Sequence, residues 1–198
     1  MARVTESSPT PDTTEIACLV RRTLAGDSAA FGQIVVRHER RVLTLSIRLL
    51  GTVEDAQDAA QEVFLRAFKY IHRLDLEKPV EPWLMQMTVN VCRDIGRKRL
   101  RRRITFPEMT DPDAAPAAES GNPYSGFAEE QQKQILRKAL ALLPPKERMA
   151  VILRDVEGMT TTETAAILGS TETTVRSQIS RARLKIKQAV DQMTGGPQ

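Results

Sequence analysis

At 198 residues, 4% of them aromatic, the chain can fill one medium domain or two small helical ones, and its wealth of Ala, Leu, Arg and Glu favours helix over sheet. The net charge of +4 is mild but unevenly placed: Arg93 to Arg103 holds seven cations against Asp94 alone, Arg176 to Lys187 holds five cations and no acid, and Ile104 to Phe127 holds four acids and no cation. Two basic surfaces flanking an acidic connector point to a polyanion held at two places. They speak against an adaptor that binds only protein.

Residues 1–12 read as a disordered tail, with Arg3 and Glu6 among Ser, Thr and Pro and without the apolar core of a signal peptide. Asp12 caps a first helix with Ile16, Leu19, Val20 and Leu24 on one face, and Gly26 closes it. Asp27 caps a second, in which Phe31, Ile34, Val35, Val42, Leu45 and Leu49 run inward as far as Gly51. A third runs from near Thr52 to about His72 with Ala56, Ala59, Ala60, Val63, Phe64, Ala67 and Ile71 inward. After a loop containing Pro79 and Pro82, Trp83, Met87, Val91 and Ile95 mark a fourth helix that ends in the arginine cluster. These helices form a first domain, 13–103.

From 104 to 127 four prolines, two glycines and the acids deny regular helix and leave little to bury, the pattern of a flexible acidic linker. A second helical domain, 128–193, follows, with Ile135, Leu136, Ala139, Leu140 and Leu143 before Pro144 and Pro145, then Met149, Ile152, Leu153 and Val156. Residues 194–198 form a tail. The fold class is therefore all-α, in two small domains.

The C-terminal part of the second domain carries the clearest motif. Thr160 and Glu163 form a capping box, Ala165, Ala166 and Leu168 supply an apolar side, and Gly169 ends the helix before another starts at about Thr171. That is the outline of a helix-turn-helix, whose second helix enters the major groove. Val175, Ile179 and Ala182 would face inward, leaving Arg176, Ser177, Ser180 and Arg181 outward.

Cys18 and Cys92 lie far apart, without a second Cys or His at metal-ligand spacing, and read as small buried apolar residues in a reducing compartment. No metal or cofactor is expected. No apolar run approaches a membrane span, so a cytoplasmic protein without membrane insertion is expected. His38 and His72 fall on separate helices without a nucleophile or carboxylate constellation, which argues against an enzyme.

Three segments, Asp55-Ala56-Gln57-Asp58-Ala59-Ala60-Gln61-Glu62-Val63-Phe64, Trp83-Leu84-Met85-Gln86-Met87-Thr88-Val89-Asn90 and Leu142-Leu143-Pro144-Pro145-Lys146-Glu147-Arg148 with the helix-turn-helix beyond, occur in this order. Together they resemble the extracytoplasmic-function (ECF) class of bacterial sigma factors. The resemblance implies that the first domain is sigma region 2 and the second sigma region 4. It further implies a protein that binds core RNA polymerase, directs it to promoter DNA, helps melt the strands, and is held in check by an anti-sigma factor.

On the third helix, Asp55, Asp58, Gln61, Glu62 and Leu65 are the implied polymerase-binding residues. Lys69, Tyr70, Arg73, Asn90, Arg93 and Arg97 are the implied contacts to the −10 element, Asn90 matching an asparagine near the flipped base. Arg148, Thr160, Thr161, Thr173, Arg176, Ser177, Ser180 and Arg181 are the implied −35 contacts, and Arg183 is expected to touch the DNA backbone. Trp83 is expected in the core. The loop Leu74 to Pro82, Thr164, Gln178 and Ser180 depart from the family's usual residues. A stand-alone helix-turn-helix regulator is the alternative, but the first domain shows no sensory or phosphate-binding signature.

Overall fold

The computed structural model describes residues 11–105 and 127–195. Residues 1–10 of the expected tail 1–12 and residues 106–126 of the expected linker 104–127 lie outside the described residues, as do 196–198, while Pro11 and Asp12 already belong to the first helix. Among the described residues every regular element is helical. The first lobe holds α1 (Pro11–Leu24), α2 (Ser28–Leu50), α3 (Val53–Tyr70), a 3₁₀ turn (Ile71–Arg73) and α4 (Val80–Thr105); the second holds α5 (Phe127–Ala141), α6 (Pro145–Val151), a π turn (Ile152–Val156), α7 (Thr161–Leu168) and α8 (Glu172–Thr194).

Local chemistry sets the first lobe's boundaries. Asp27 caps α2 by accepting from the Ala30 amide at 3.2 Å, and Gly51 ends it at φ 86°, a left-handed turn that other residues adopt at a cost. α2 packs against α1, α3 and α4, and α3 against α4. Val20, Leu45, Val63, Leu84 and Val89 are fully or almost fully buried between them.

Several inward assignments need correction. Leu24 is 51% exposed because it is the last residue of α1, and Cys18 is exposed while Cys92 is buried as expected. Burial pushes the Cys92 thiol up to about 12, leaving it an inert core group. α4 begins at Val80, so Pro82 lies in its first turn, where a missing N–H costs no helical bond. Its most buried side is Leu84, Met85, Thr88, Val89, Val91 and Cys92, while Trp83, Met87 and Ile95 are half-buried against the same core. Thr88 is tolerated there because its hydroxyl donates to the Leu84 carbonyl at 2.8 Å.

In the second lobe α8 is the central element, packed by α5, α6 and α7. Ala150, Ala165, Val175 and Ile179 form one cluster of its core. On α7 Thr164, Ala165 and Ile167 are buried and Ala166 is exposed, a rotation from the expected apolar side. Thr164 enters the core because its hydroxyl donates to the Thr160 carbonyl at 2.8 Å. The π turn is legible in the 2.9 Å bond from the Glu157 amide to the Ile152 carbonyl five residues back. One consequence is that Val156, expected inward, is 43% exposed.

The two lobes touch. α6 meets α2 and α7 meets α4, and the Arg48 guanidinium donates to Glu157 at 2.6 Å across the junction.

Candidate polymerase and DNA interfaces

Along α3, spacings of three and four residues place Asp58, Gln61, Leu65 and Phe68 on one side. All four are exposed, Leu65 by 60% and Phe68 by 52%. An acid, an amide and two large apolar side chains left in solvent on one helix face have the composition of a protein-binding patch rather than a solvated one. Phe68 is steadied from α2 by Phe31, whose ring meets it edge-on with centroids 5.0 Å apart. Sequence reading missed Phe68 although the same periodicity reaches it.

The other two expected polymerase contacts are engaged within the lobe. Glu62 accepts from Arg66 Nε at 2.6 Å, and Asp55 accepts from the Thr52 hydroxyl at 2.9 Å and from Arg99 at 3.0 Å. Arg66 also reaches Asp94 on α4 at 3.4 Å, so this network ties α3 to α4 beside the exposed patch.

The surface expected to meet melted DNA lies at the end of α3 and along α4. Lys69 and Arg73 flank the Tyr70 ring, at 5.4 and 4.9 Å from its centroid. On α4 Asn90, Arg93 and Arg97 follow one another at helical spacing, with Asn90 and Arg97 exposed. Arg97 donates to Asp94 at 2.5 Å, and this bond, joined by Arg66, holds the Asp94 carboxyl below the usual range. Arg93 is half-buried and reaches the Leu168 carbonyl of the second lobe at 3.3 Å.

The helix-turn-helix forms as the sequence dictates. The Thr160 hydroxyl accepts from the Glu163 amide at 3.1 Å and the Glu163 carboxylate accepts from the Thr160 amide at 2.8 Å, which holds that carboxyl below its ordinary value. Gly169 ends α7 at φ 59°, and Thr171 caps α8 by accepting from the Thr174 amide at 3.2 Å. Val175, Ile179 and Ala182 are buried as expected, joined by Gln178, while Thr173, Arg176, Ser177, Ser180 and Arg181 are exposed. Arg176 holds Glu172 at 2.7 Å in a pair that is exposed on both sides and so easily exchanged for a base or phosphate.

Three expected DNA contacts have other partners. Arg148 donates to the carbonyls of Ala141 at 2.6 Å and Leu143 at 3.2 Å, and across the junction to that of Leu49 at 3.4 Å. Burial, aided by nearby Arg99, lowers its pKa, marking a guanidinium that organises backbone rather than one presented to phosphate. Thr160 spends its hydroxyl on the capping box, and Thr161 is half-buried. Arg183 is bound to Asp155. Behind α8, Lys185 reaches the buried Glu147 at 2.8 Å, a partner too distant along the chain for any local pattern to assign.

Comparison with known proteins decides the family. The family model for Sigma-70 region 2 matches residues 34–103, which span most of α2, all of α3 and nearly all of α4; that for Sigma-70, region 4 matches 133–186, from α5 into α8. The ECF RNA polymerase sigma-E factor of Escherichia coli K12 is 33% identical over 181 residues, covering 87% of this chain and 92% of that protein. The chain belongs to the ECF sigma factors.

Other relatives agree. ECF RNA polymerase sigma factor SigM of Mycobacterium tuberculosis H37Rv is 32% identical over 90% of this chain and 86% of its own length. SigE of Mycolicibacterium smegmatis is 38% identical over 82% of this chain, which spans 63% of that longer protein. Among solved structures, CnrH in complex with the cytosolic domain of CnrY aligns at TM-score 0.60 and 26% identity, covering 89% of this chain and 97% of that one. The sigma factor RpoE of Bartonella quintana, solved with the anti-sigma factor NepR, shares the fold at TM-score 0.68 and 23% identity over 81% of this chain and 96% of that one. Among the described residues no helix of this sigma factor is long and apolar enough to cross a membrane.

Proposed function

We propose that the two lobes divide the work of promoter-specific initiation. The first lobe docks on core RNA polymerase through Asp58, Gln61, Leu65 and Phe68 and holds separated −10 DNA along Tyr70, Arg73, Asn90, Arg93 and Arg97. The second lobe reads the −35 duplex with Thr173, Arg176, Ser177, Ser180 and Arg181 on the outer face of α8. The observation that carries this reading is the exposed mixed face of α3, because a regulator that only bound DNA would have no use for a leucine and a phenylalanine standing in solvent there.

Physical chemistry supports the remaining assignments. Melting costs a few kcal/mol per extruded base, which stacking on Tyr70 and phosphate contacts from Arg73 and Arg97 offset. Arg176 can pair with a guanine in bidentate fashion, for roughly 1–3 kcal/mol of discrimination. The protein supplies binding energy and position rather than covalent chemistry, acts in the cytoplasm beside the chromosome, and is held by an anti-sigma factor, the kind of partner with which the Bartonella quintana RpoE was solved. For the acidic segment 104–127 two readings stand side by side, a passive tether between the lobes or a segment that competes with nucleic acid for basic surface in the polymerase.

Selection from random duplexes tests the reading. Holoenzyme reconstituted from this chain and core polymerase recovers two sequence boxes at fixed spacing, and Arg176→Ala relaxes only the upstream box. Recovery of boxes by the chain without polymerase would favour the stand-alone regulator.

A further inference from the structure

Glu147 lies in the first turn of α6 with its side chain only 10% exposed, a carboxylate among the buried Met149, Ala150 and Val151. Two cations of α8, four residues apart and so on one side of that helix, meet it there. Lys185 Nζ donates to Oε2 at 2.8 Å, and Arg181 Nε stands 3.8 Å from Oε1. A buried carboxylate is costly to desolvate, and apolar residues of similar size often serve stability as well or better in its place. Stability alone gives little reason for an acid here, whereas its two partners on the recognition helix give another.

The Nε edge of Arg181 faces inward, donating to the Ser177 carbonyl at 3.3 Å while Glu147 attracts the same edge from α6. Among the described residues nothing bonds its Nη1 or Nη2, and the side chain is 59% exposed. The other arginines of α8 differ, since Arg176 turns to Glu172 of its own helix and Arg183 spends both Nε and Nη2 on Asp155. A guanidinium held by its Nε edge keeps its two terminal nitrogens side by side and outward, the fork that pairs with guanine O6 and N7. Holding that fork before DNA arrives removes the ordering cost that a free arginine pays on contact.

We infer that Glu147 is a positioning residue for sequence readout, its carboxylate bracing Arg181 from behind so that the guanidinium meets one base pair of the −35 duplex in a fixed pose. The inference rests on the reading of the outer face of α8 as the duplex-reading surface. Lys185 shares the carboxylate and neutralises it, and has no part in choosing the base. Glu147 never touches DNA, so its effect is confined to the base pair that Arg181 reads.

Holoenzyme reconstituted from core polymerase and the full chain is titrated with duplexes carrying the selected −35 box and each of its single-base variants. Arg181→Ala is expected to flatten the preference at one base pair by about tenfold, the scale of one bidentate arginine–guanine pair. Glu147→Gln and Glu147→Met, the second leaving no polar atom in the buried position, should each cut the preference at that same base pair about threefold or more, the scale of ordering one long side chain. Preferences at the other positions should stay as in the wild type, and neither change should add to the effect of Arg181→Ala. Lys185→Ala removes the other partner of Glu147 and should keep the preference, with circular dichroism confirming that every variant is folded. Glu147→Gln and Lys185→Ala with the same preference profile would reduce Glu147 to a tie between α6 and α8 and overturn the inference. Full preference in both Glu147 variants, beside a loss in Arg181→Ala, would also overturn it while leaving Arg181 as a base contact. No loss in Arg181→Ala would overturn the assignment of Arg181 to a base, and the role of Glu147 with it.

Discussion

Arg183 donates two hydrogen bonds to Asp155, from Nε at 2.8 Å and from Nη2 at 2.7 Å, joining α8 to the π turn with one edge of the guanidinium facing both carboxylate oxygens. The pair raises the Arg183 pKa and fixes the back of the recognition helix against the segment that precedes α7. Arg183 is therefore expected to brace α8 rather than to touch the DNA backbone. Because the pair is largely exposed, Arg183→Ala is expected to cost only about 0.5–1 kcal/mol of stability. Asp155→Asn should reproduce most of that loss in a denaturant melt, while affinity for unrelated duplexes at fixed salt stays near wild type. A loss of duplex affinity in Arg183→Ala that Asp155→Asn does not share would return Arg183 to the DNA backbone.

The exposed face of α3 makes a second expectation. Asp58→Arg with Leu65→Asp alters two solvent-facing side chains and should change stability by within about 0.5 kcal/mol. Capture on immobilised core polymerase should fall at least tenfold. Glu62→Gln, by contrast, removes a partner of Arg66 inside the lobe and should affect melting temperature more than capture.

Arg148 is expected to behave as a structural cation. Its three carbonyl acceptors lie at the end of α5 and of α2, so Arg148→Ala leaves them competing for water and opens packing around Leu143. A destabilisation of about 2–3 kcal/mol follows, measured by chemical denaturation. The salt dependence of duplex binding should be unchanged, since a lost phosphate contact would lower its slope by about one.

The capping box gives a pH dependence with a definite sign. The Glu163 carboxyl is held below its ordinary value by its bonds from the Thr160 amide and hydroxyl, so it binds its proton less readily folded than unfolded. Its contribution is fully present above the ordinary carboxylate value and is lost as pH falls through the lowered one. Glu163→Gln should therefore be less stable than wild type near neutrality by up to about 1 kcal/mol, the scale of one helix cap, with the gap closing in acid. Denaturant melts between about pH 6 and pH 3 measure it.

Much of the architecture was legible because it rests on local signals. Asp27 and Gly51, Thr160 with Glu163, and Gly169 act within one helical turn, and each stands where the sequence placed it. The inward stripe of α8 was legible for the same reason. What escaped reading depends on distant partners. α4 touches both α2 and α3, so its buried side is broader than one apolar stripe and takes in Thr88. The π turn changes the helical register after Val151, which brings Val156 outward and turns Glu157 to Arg48, more than a hundred residues away. Arg148 and Arg183 read as DNA contacts because a sequence shows their charge and not their acceptors. Phe68 was the exception, a residue whose spacing from Leu65 was visible and whose exposure was not.

Strand opening by the complete assembly is the most direct test of initiation by this chain. A promoter carrying both selected boxes, with 2-aminopurine at the −10 position expected to be extruded, is mixed with core polymerase and this chain. Fluorescence should rise only when both proteins are present, and Asp58→Arg with Leu65→Asp should abolish the rise. An equal signal from core polymerase alone, or none at any promoter with both proteins present, would contradict the assignment of initiation to this chain.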